Sequence, residues 1–147
     1  MKRIVVVLLA VATAWVRGQT PPPIKMGFLA PLSGAYAQNG RDILNGLLLY
    51  LEEIGYRTAG RPIQLTVEDD EAIPATGLTK ARKLVERDQV DLMAGALLSS
   101  TGYALAPYID SQQIPMVYPV VSADDLTQRK RAKWIVRTGW TSSPSAV

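Results

Sequence analysis

From Ile24 onward, short apolar runs that stop at glycine, proline or acidic residues alternate with longer stretches of helical spacing. That alternation narrows the possible folds more than any other feature, because strands that pair in parallel must return through helices. The run Ile24 to Leu29 meets the turn residues Pro31, Ser33 and Gly34 and reads as a first strand. Ile43, Leu47, Tyr50, Leu51 and Ile54 then recur at three- and four-residue steps. They predict a helix over about 40–54 with one apolar stripe, closed by Gly55 in a left-handed cap.

Ile63, Leu65 and Val67 alternate with polar neighbours after Pro62, which predicts a second strand closed by the acidic run Glu68 to Glu71. Leu78, Ala81, Leu84 and Val85 mark a second helix whose outer face carries Lys80, Arg82, Lys83, Glu86 and Arg87. A third strand is expected over Val90 to Ala94. A third helix follows Ser99, Ser100 and Thr101, any of which can cap free amide groups, and runs through Leu105 and Ile109. Met116 to Tyr118, between Pro115 and Pro119, gives a fourth strand, and Trp134 to Arg137 a fifth. Ser122 and Asp125 have the spacing of a capping box and predict a short helix to about Gln128. The expected product is an α/β fold, doubly wound and mainly parallel with helices on both faces, forming one lobe over 24–147.

In such a sheet, ligands approach the loops that follow the strands. These are Ala30 to Asn39, Asp69 to Pro74, Gly95 to Thr101 and Val120 to Asp124. Two of the four are rich in hydroxyls and are read as opening into helices, where free amides and the positive helix end favour an anion. Ser99, Ser100 and Thr101 form one candidate set and Ser122 the other. The simpler reading is that these serines only cap their own helices, and it is the two sets on successive strands that favour a site.

The acidic run Glu68, Asp69, Asp70 and Glu71 is more simply the end of a strand than a metal site, and no metal or other cofactor is expected. Asp69 and Asp70 at a strand end do keep open an enzyme or phosphoacceptor on the same sheet. The basic run Arg129, Lys130, Arg131 and Lys133 reads as a solvated face. With no histidine and no cysteine, neither a Ser-His-Asp nor a Cys-His centre can form. No glycine pattern for a dinucleotide or a phosphate loop is present.

The N-terminus has the layout of a secretory signal: Met1, Lys2 and Arg3, an uncharged stretch from Ile4 to Val16, then Arg17, Gly18 and Pro21 to Pro23. A leader over 1–18 cut near Gly18 is expected, with 19–23 a proline-rich linker; a buried N-terminal strand is the alternative. The apolar stretch is shorter than the roughly 20 residues that span a bilayer. The net charge of +3 then disappears, because Lys2, Arg3 and Arg17 leave and no acid does. A near-neutral chain of about 129 residues, one domain by length, lacks the basic footprint of a nucleic-acid partner. Without cysteine, stability rests on a packed core.

Four segments carry a family resemblance: "IKMGFLAPLSGAYAQNG" at Ile24 to Gly40, "LTVEDD" at Leu65 to Asp70, "GALLSSTGYALAP" at Gly95 to Pro107 and "YPVVSADDLTQR" at Tyr118 to Arg129. Together they resemble the periplasmic branched-chain amino-acid-binding proteins of ABC transporters, over about Ile24 to Ser143. The resemblance implies a two-lobed clamshell that carries a small-molecule solute to a membrane permease from the periplasm, without catalysis. It implies that Ser99 and Ser122, with Ser100, Thr101 and Val121 beside them, bind a carboxylate by side chain and amide, and that the Val120 carbonyl accepts from an ammonium. Asn39 stands where the family often has an aromatic contact, and Leu98 where some members have a disulfide cysteine. "STGYALAP" and "ADDLTQR" resemble a branch that includes carriers of aromatic carboxylates and amides. Family members are more than twice as long, so the second lobe is expected to be absent here, isolated binding to be weak, and an exposed sheet edge to invite self-association. The same fold serves receptors as an extracellular sensing module, which is the second reading.

Overall fold

The computed structural model describes residues 21–143. Six strands form one sheet: β1 (Ile24–Ala30), β2 (Arg57–Thr58), β3 (Arg61–Asp69), β4 (Leu92–Gly95), β5 (Met116–Tyr118) and β6 (Ile135–Arg137). Their order is β2-β3-β1-β4-β5-β6, and every pair is parallel except β2 with β3. Three helices connect them: α1 (Ala37–Glu53), α2 (Pro74–Arg82) and α3 (Ser99–Gln112). The chain runs outward from β1 to β3, then doubles back past β1 to β4, β5 and β6. A constant crossover hand therefore places α1 on one face and α2 with α3 on the other. The expected doubly wound, mainly parallel sheet is present.

Alternation along the strands divides the core accordingly. Phe28, Ala30 and Ala94 pack with Met26, Ile43, Leu44 and Leu47 under α1. Leu29, Met93, Met116 and Tyr118 pack with Ala81, Leu84, Leu105 and Ile109 under α2 and α3. Tyr118 is fully buried, and its hydroxyl donates to the Gly102 carbonyl at 3.1 Å, which satisfies the one polar atom the ring brings into the core. Beyond α1, the other face remains open over β4 and β5. A groove of about 470 Å³ lies there, lined by Phe28, Ile43, Leu47, Ala94, Val117 and Val120 among others.

Several boundaries differ from expectation for identifiable reasons. Helix α1 starts at Ala37, directly after a 3-10 turn at Gly34–Tyr36, and Tyr50 in its predicted apolar stripe is 58 % exposed while Leu51 is buried. Gly55 does hold the left-handed conformation, with φ +63°. Strand β2 has no counterpart in the sequence reading. It forms a hairpin with the start of β3 around Ala59 and Gly60, both at positive φ, as a two-residue loop of the primed type requires. The second helix gives way after Arg82 to a π-helical stretch, Lys83–Arg87. From its charged face, Lys80 and Lys83 reach Glu68 of β3, Lys80 at 2.9 Å. The run Arg129 to Arg131 is exposed, in keeping with a solvated face.

The predicted capped helix after Ser122 does not form. Only one 3-10 turn, Asp124–Leu126, is present, and its cap position is Ala123 with no side-chain bond. Residues 21–23 precede β1 without regular structure and are exposed. The expected leader over 1–18, its cut near Gly18 and the first two linker residues lie outside the described residues. No helix among the described residues is long and apolar enough to cross a membrane.

Candidate functional site

The crossover geometry brings the loops after β1, β3, β4, β5 and β6 to one edge of the sheet, with the strand order reversing between β1 and β4. At that reversal Gly95 takes φ +116°, and a Cβ there would lie 2.0 Å from the Leu29 carbonyl oxygen. The backbone of β4 can therefore close on β1, and Ala96 N–H donates to the same carbonyl at 2.6 Å. This turn delivers Ser99 to the first position of α3, with Leu98 in the cap position and no side-chain cap bond.

Ser99 is half-buried and Ser100 exposed. Thr101 is not at the rim: it is fully buried, its methyl group faces Gly77 of α2, and its hydroxyl has no partner. Across the next strand, Val120 and Ser122 are half-buried at the end of β5. Val121 points inward, 1 % exposed, beneath Gly102 of α3. So the side chains of Thr101 and Val121 serve packing, while Ser99 and Ser100 at the start of α3 and Val120 and Ser122 on the loop after β5 follow neighbouring parallel strands at the same edge. Asn39 is exposed on the first turn of α1. The open groove lies on the sheet face rather than at this edge, and Val120 is the one predicted site residue that touches it.

Two charged side chains hold the rim loops. Asp69, at the end of β3, accepts through Oδ1 from the amides of Leu32 and Glu71, each at 2.8 Å. Burial pushes its carboxyl up, but the Ser33 hydroxyl and these amides outweigh it and hold the group below its ordinary range. Arg137, at the end of β6 and only 6 % exposed in its side chain, donates through Nη1 to the carbonyls of Ser122 and Ala123, both at 3.0 Å. Ser142 N–H donates to the Ser122 carbonyl as well, at 3.0 Å. Asp124 lies 3.8 Å from Arg137 Nη2 and accepts from Ser143 Oγ. The Ser143 hydroxyl first, and the guanidinium charge after it, hold the Asp124 carboxyl down.

Asp70 behaves oppositely. It is 1 % exposed, its Oδ2 has no partner, and burial pushes its carboxyl up despite the Ala72 amide at 2.9 Å. Of the two acids that keep an enzyme reading open, Asp69 is thus taken up by loop amides, while Asp70 keeps one buried oxygen without a partner.

Sequence reasoning missed Arg137. Alternation in β6 was the signal for it, since Ile135 and Arg137 share the inward side and an inward charge needs partners.

Residues 23–147 match the profile of the periplasmic binding protein family. The chain belongs to that family. It is 27 % identical over 143 residues to a Leu/Ile/Val-binding protein homolog of Brucella abortus, a match that covers 97 % of this chain and 36 % of the relative. An ABC transporter substrate-binding protein from Sphaerobacter thermophilus superposes with TM-score 0.78 at 34 % identity, over 80 % of this chain and 32 % of that one. A solute-binding protein of an ABC transporter from Rhodopseudomonas palustris, solved with 3,4-dihydroxybenzoic acid, gives TM-score 0.77 at 30 % identity, over 81 % and 32 %. The chain thus spans about a third of the length of the family members it matches. These relatives are transporter components, and nothing in them supports the receptor reading.

Proposed function

We propose that this chain is the N-terminal solute-binding lobe of an ABC uptake system, working outside the cytoplasmic membrane and handing a small carboxylate-bearing solute to a membrane permease. The observation that carries the reading is that Ser99 and Ser122 follow adjacent parallel strands at one edge, the first at the amide-rich start of a 14-residue helix and the second on a loop. Such a helix start favours an anion. Ser99, Ser100 and Ser122 offer hydroxyls and amides to the carboxylate, and the Val120 carbonyl offers an acceptor. Thr101 and Val121 contribute through the backbone only.

An aromatic carboxylate and a branched-chain amino acid are the two solute classes in view, and the dihydroxybenzoate-bound relative favours the former. Asn39 would replace a stacking contact with a polar one. The remaining two thirds of a full-length relative would supply a second lobe and would cover the groove on the α1 face. The outer edge of β6, which has no further strand beside it among the described residues, is where self-association would begin.

Amide NMR titration of the chain with benzoate and with leucine, each to about 10 mM, tests this in the weak range expected of one lobe, near 4 kcal/mol or less. Saturable shifts at Ser99, Ser100 and Ser122 are expected with at least one of them. Flat titrations with both would remove the reading.

A further inference from the structure

We propose that Arg137 is a positioning residue for the solute site: its guanidinium sets which way the peptide groups of the Ser122 loop face. The inference rests on the solute-binding reading and adds to it a residue that the solute itself does not touch. Arg137 Nη1 holds two successive carbonyls, those of Ser122 and Ala123, each at 3.0 Å, and Ser142 N–H fixes the first of them from the other strand end. In a trans peptide the N–H points opposite to the C=O of the same unit. Pinning the Ser122 and Ala123 oxygens on the guanidinium therefore turns the N–H groups of Ala123 and Asp124 away from it. Two consecutive amides presented this way form an anion-receptive edge.

The alternative local structure was available, because Ser122 and Asp125 have the spacing of a capping box. In that motif the Ser122 side chain would bond the amide of Asp125, and its peptide groups would follow a helix. The structure has neither: the cap position is Ala123, without a side-chain bond, and only one 3-10 turn follows. Arg137 and Ser142 thus take the carbonyls of this loop and leave Ser122 free of cap duty. The charge brought into this nearly buried place is balanced by Asp124, 3.8 Å from Nη2, and the Ser143 hydroxyl supports that carboxylate. Arg suits the role better than Lys, since a planar fork can bond carbonyls through one nitrogen and face a carboxylate with the other.

The test uses the isotope-labelled chain and the variants Arg137→Met, which keeps stem volume without donors, and Arg137→Lys, which keeps charge and donors. Without any solute, Arg137→Met is expected to move the amide shifts of Val120 to Asp124 and to speed hydrogen exchange at Ser142 by about tenfold, as for the loss of charge-assisted bonds. Amides of Leu29 and Met93 in the core are expected to stay protected. Lys is expected to recover part of both effects. In the titration with benzoate, and with leucine, the Met variant is expected to bind about tenfold more weakly with its fold intact.

Loop amides that do not move in Arg137→Met, or exchange that rises evenly through the lobe, would overturn the proposal. If the Met variant does not fold, the Lys variant decides: shifts displaced at Val120 to Asp124 with the core still protected agree with the assignment, and unmoved loop shifts or a loss of protection throughout the core count against it. A wild-type chain that binds neither solute defeats the solute reading, while the solute-free exchange still decides what Arg137 does.

Discussion

The two rim loops are held by charges of opposite sign, and the difference shows in what each loop leaves exposed. At the end of β3, the Asp69 carboxylate takes one amide from the loop after β1, that of Leu32, and one from its own loop, that of Glu71, so those two donors are consumed. After β5, the Arg137 guanidinium takes carbonyls, those of Ser122 and Ala123, so donors are left over. A carboxylate clamp suits a loop that must keep its shape, whereas a guanidinium clamp suits one that must receive an anion. On the proposed reading, the anion would be received on the β4 and β5 side of the rim.

The largest way to break this contrast is to unseat the first loop. A Cβ at Gly40 would lie 1.8 Å from the Pro31 carbonyl oxygen, and backbone must move to admit it. Gly40→Ala is expected to cost about 3 kcal/mol or more, read as a melting temperature lower by roughly 10 °C in a domain of this size. Removing the carboxylate clamp is milder. Asp69→Ala is expected to cost about 1–2 kcal/mol by orphaning two amides, with exchange rising at Leu32 and Glu71 while Ser142 stays protected. Equal loss in both loops would show that the two clamps are one network.

Acid gives a sharper version without mutation. Asp69, Glu68 and Asp124 are all held below their ordinary values, so the stability they add is present above those values and is lost as pH falls through the folded ones. The first loop should loosen in acid unfolding through Asp69 itself. In the second, Arg137 keeps its charge and only its partner Asp124 titrates. Amide shifts followed from pH 6 to about 2.5 are expected to show Leu32 following the titration of Asp69 and Ser142 that of Asp124.

Asp70 has the reverse sign. Its folded value is raised above the ordinary 3.8, so ionising it destabilises the fold, and stability is lost as pH climbs from the unfolded value through the folded one. Asp70→Asn removes that charge while keeping the side chain's shape. The stability of Asp70→Asn relative to the wild type is expected to rise between about pH 4 and pH 7, because only the wild type ionises there, and calorimetric melting at both values would check it. Smallest of all, Ser122→Ala should leave stability within about 0.5 kcal/mol, because no side-chain cap bond is lost, and should act on solute binding alone. A large stability loss would mean that the hydroxyl serves the loop instead.

The strands and helices were legible because burial imposes a period, and the period survives wherever a face is covered. Ile63, Leu65 and Val67 announce β3, and Leu78, Ala81 and Leu84 announce the second helix, all three turned toward the core side. Strand β2 was illegible because Arg57 and Thr58 are exposed and bury nothing. At the rim, residue type misled where a distant group had the stronger claim. Ser122 and Asp125 look like a cap, but Arg137, 15 residues on, holds the carbonyls. Thr101 looks like its neighbours Ser99 and Ser100, yet the turn of α3 carries it under Gly77. No local pattern encodes either contact.

The groove beside α1 also governs how this molecule meets cosolvents. A trough walled by Phe28, Leu47 and Val117 offers water little to bond with, and strongly excluded salts raise the penalty for leaving such a surface wet. Sulfate should therefore strengthen whatever covers the trough, while dilute urea should weaken that cover before it unfolds the sheet.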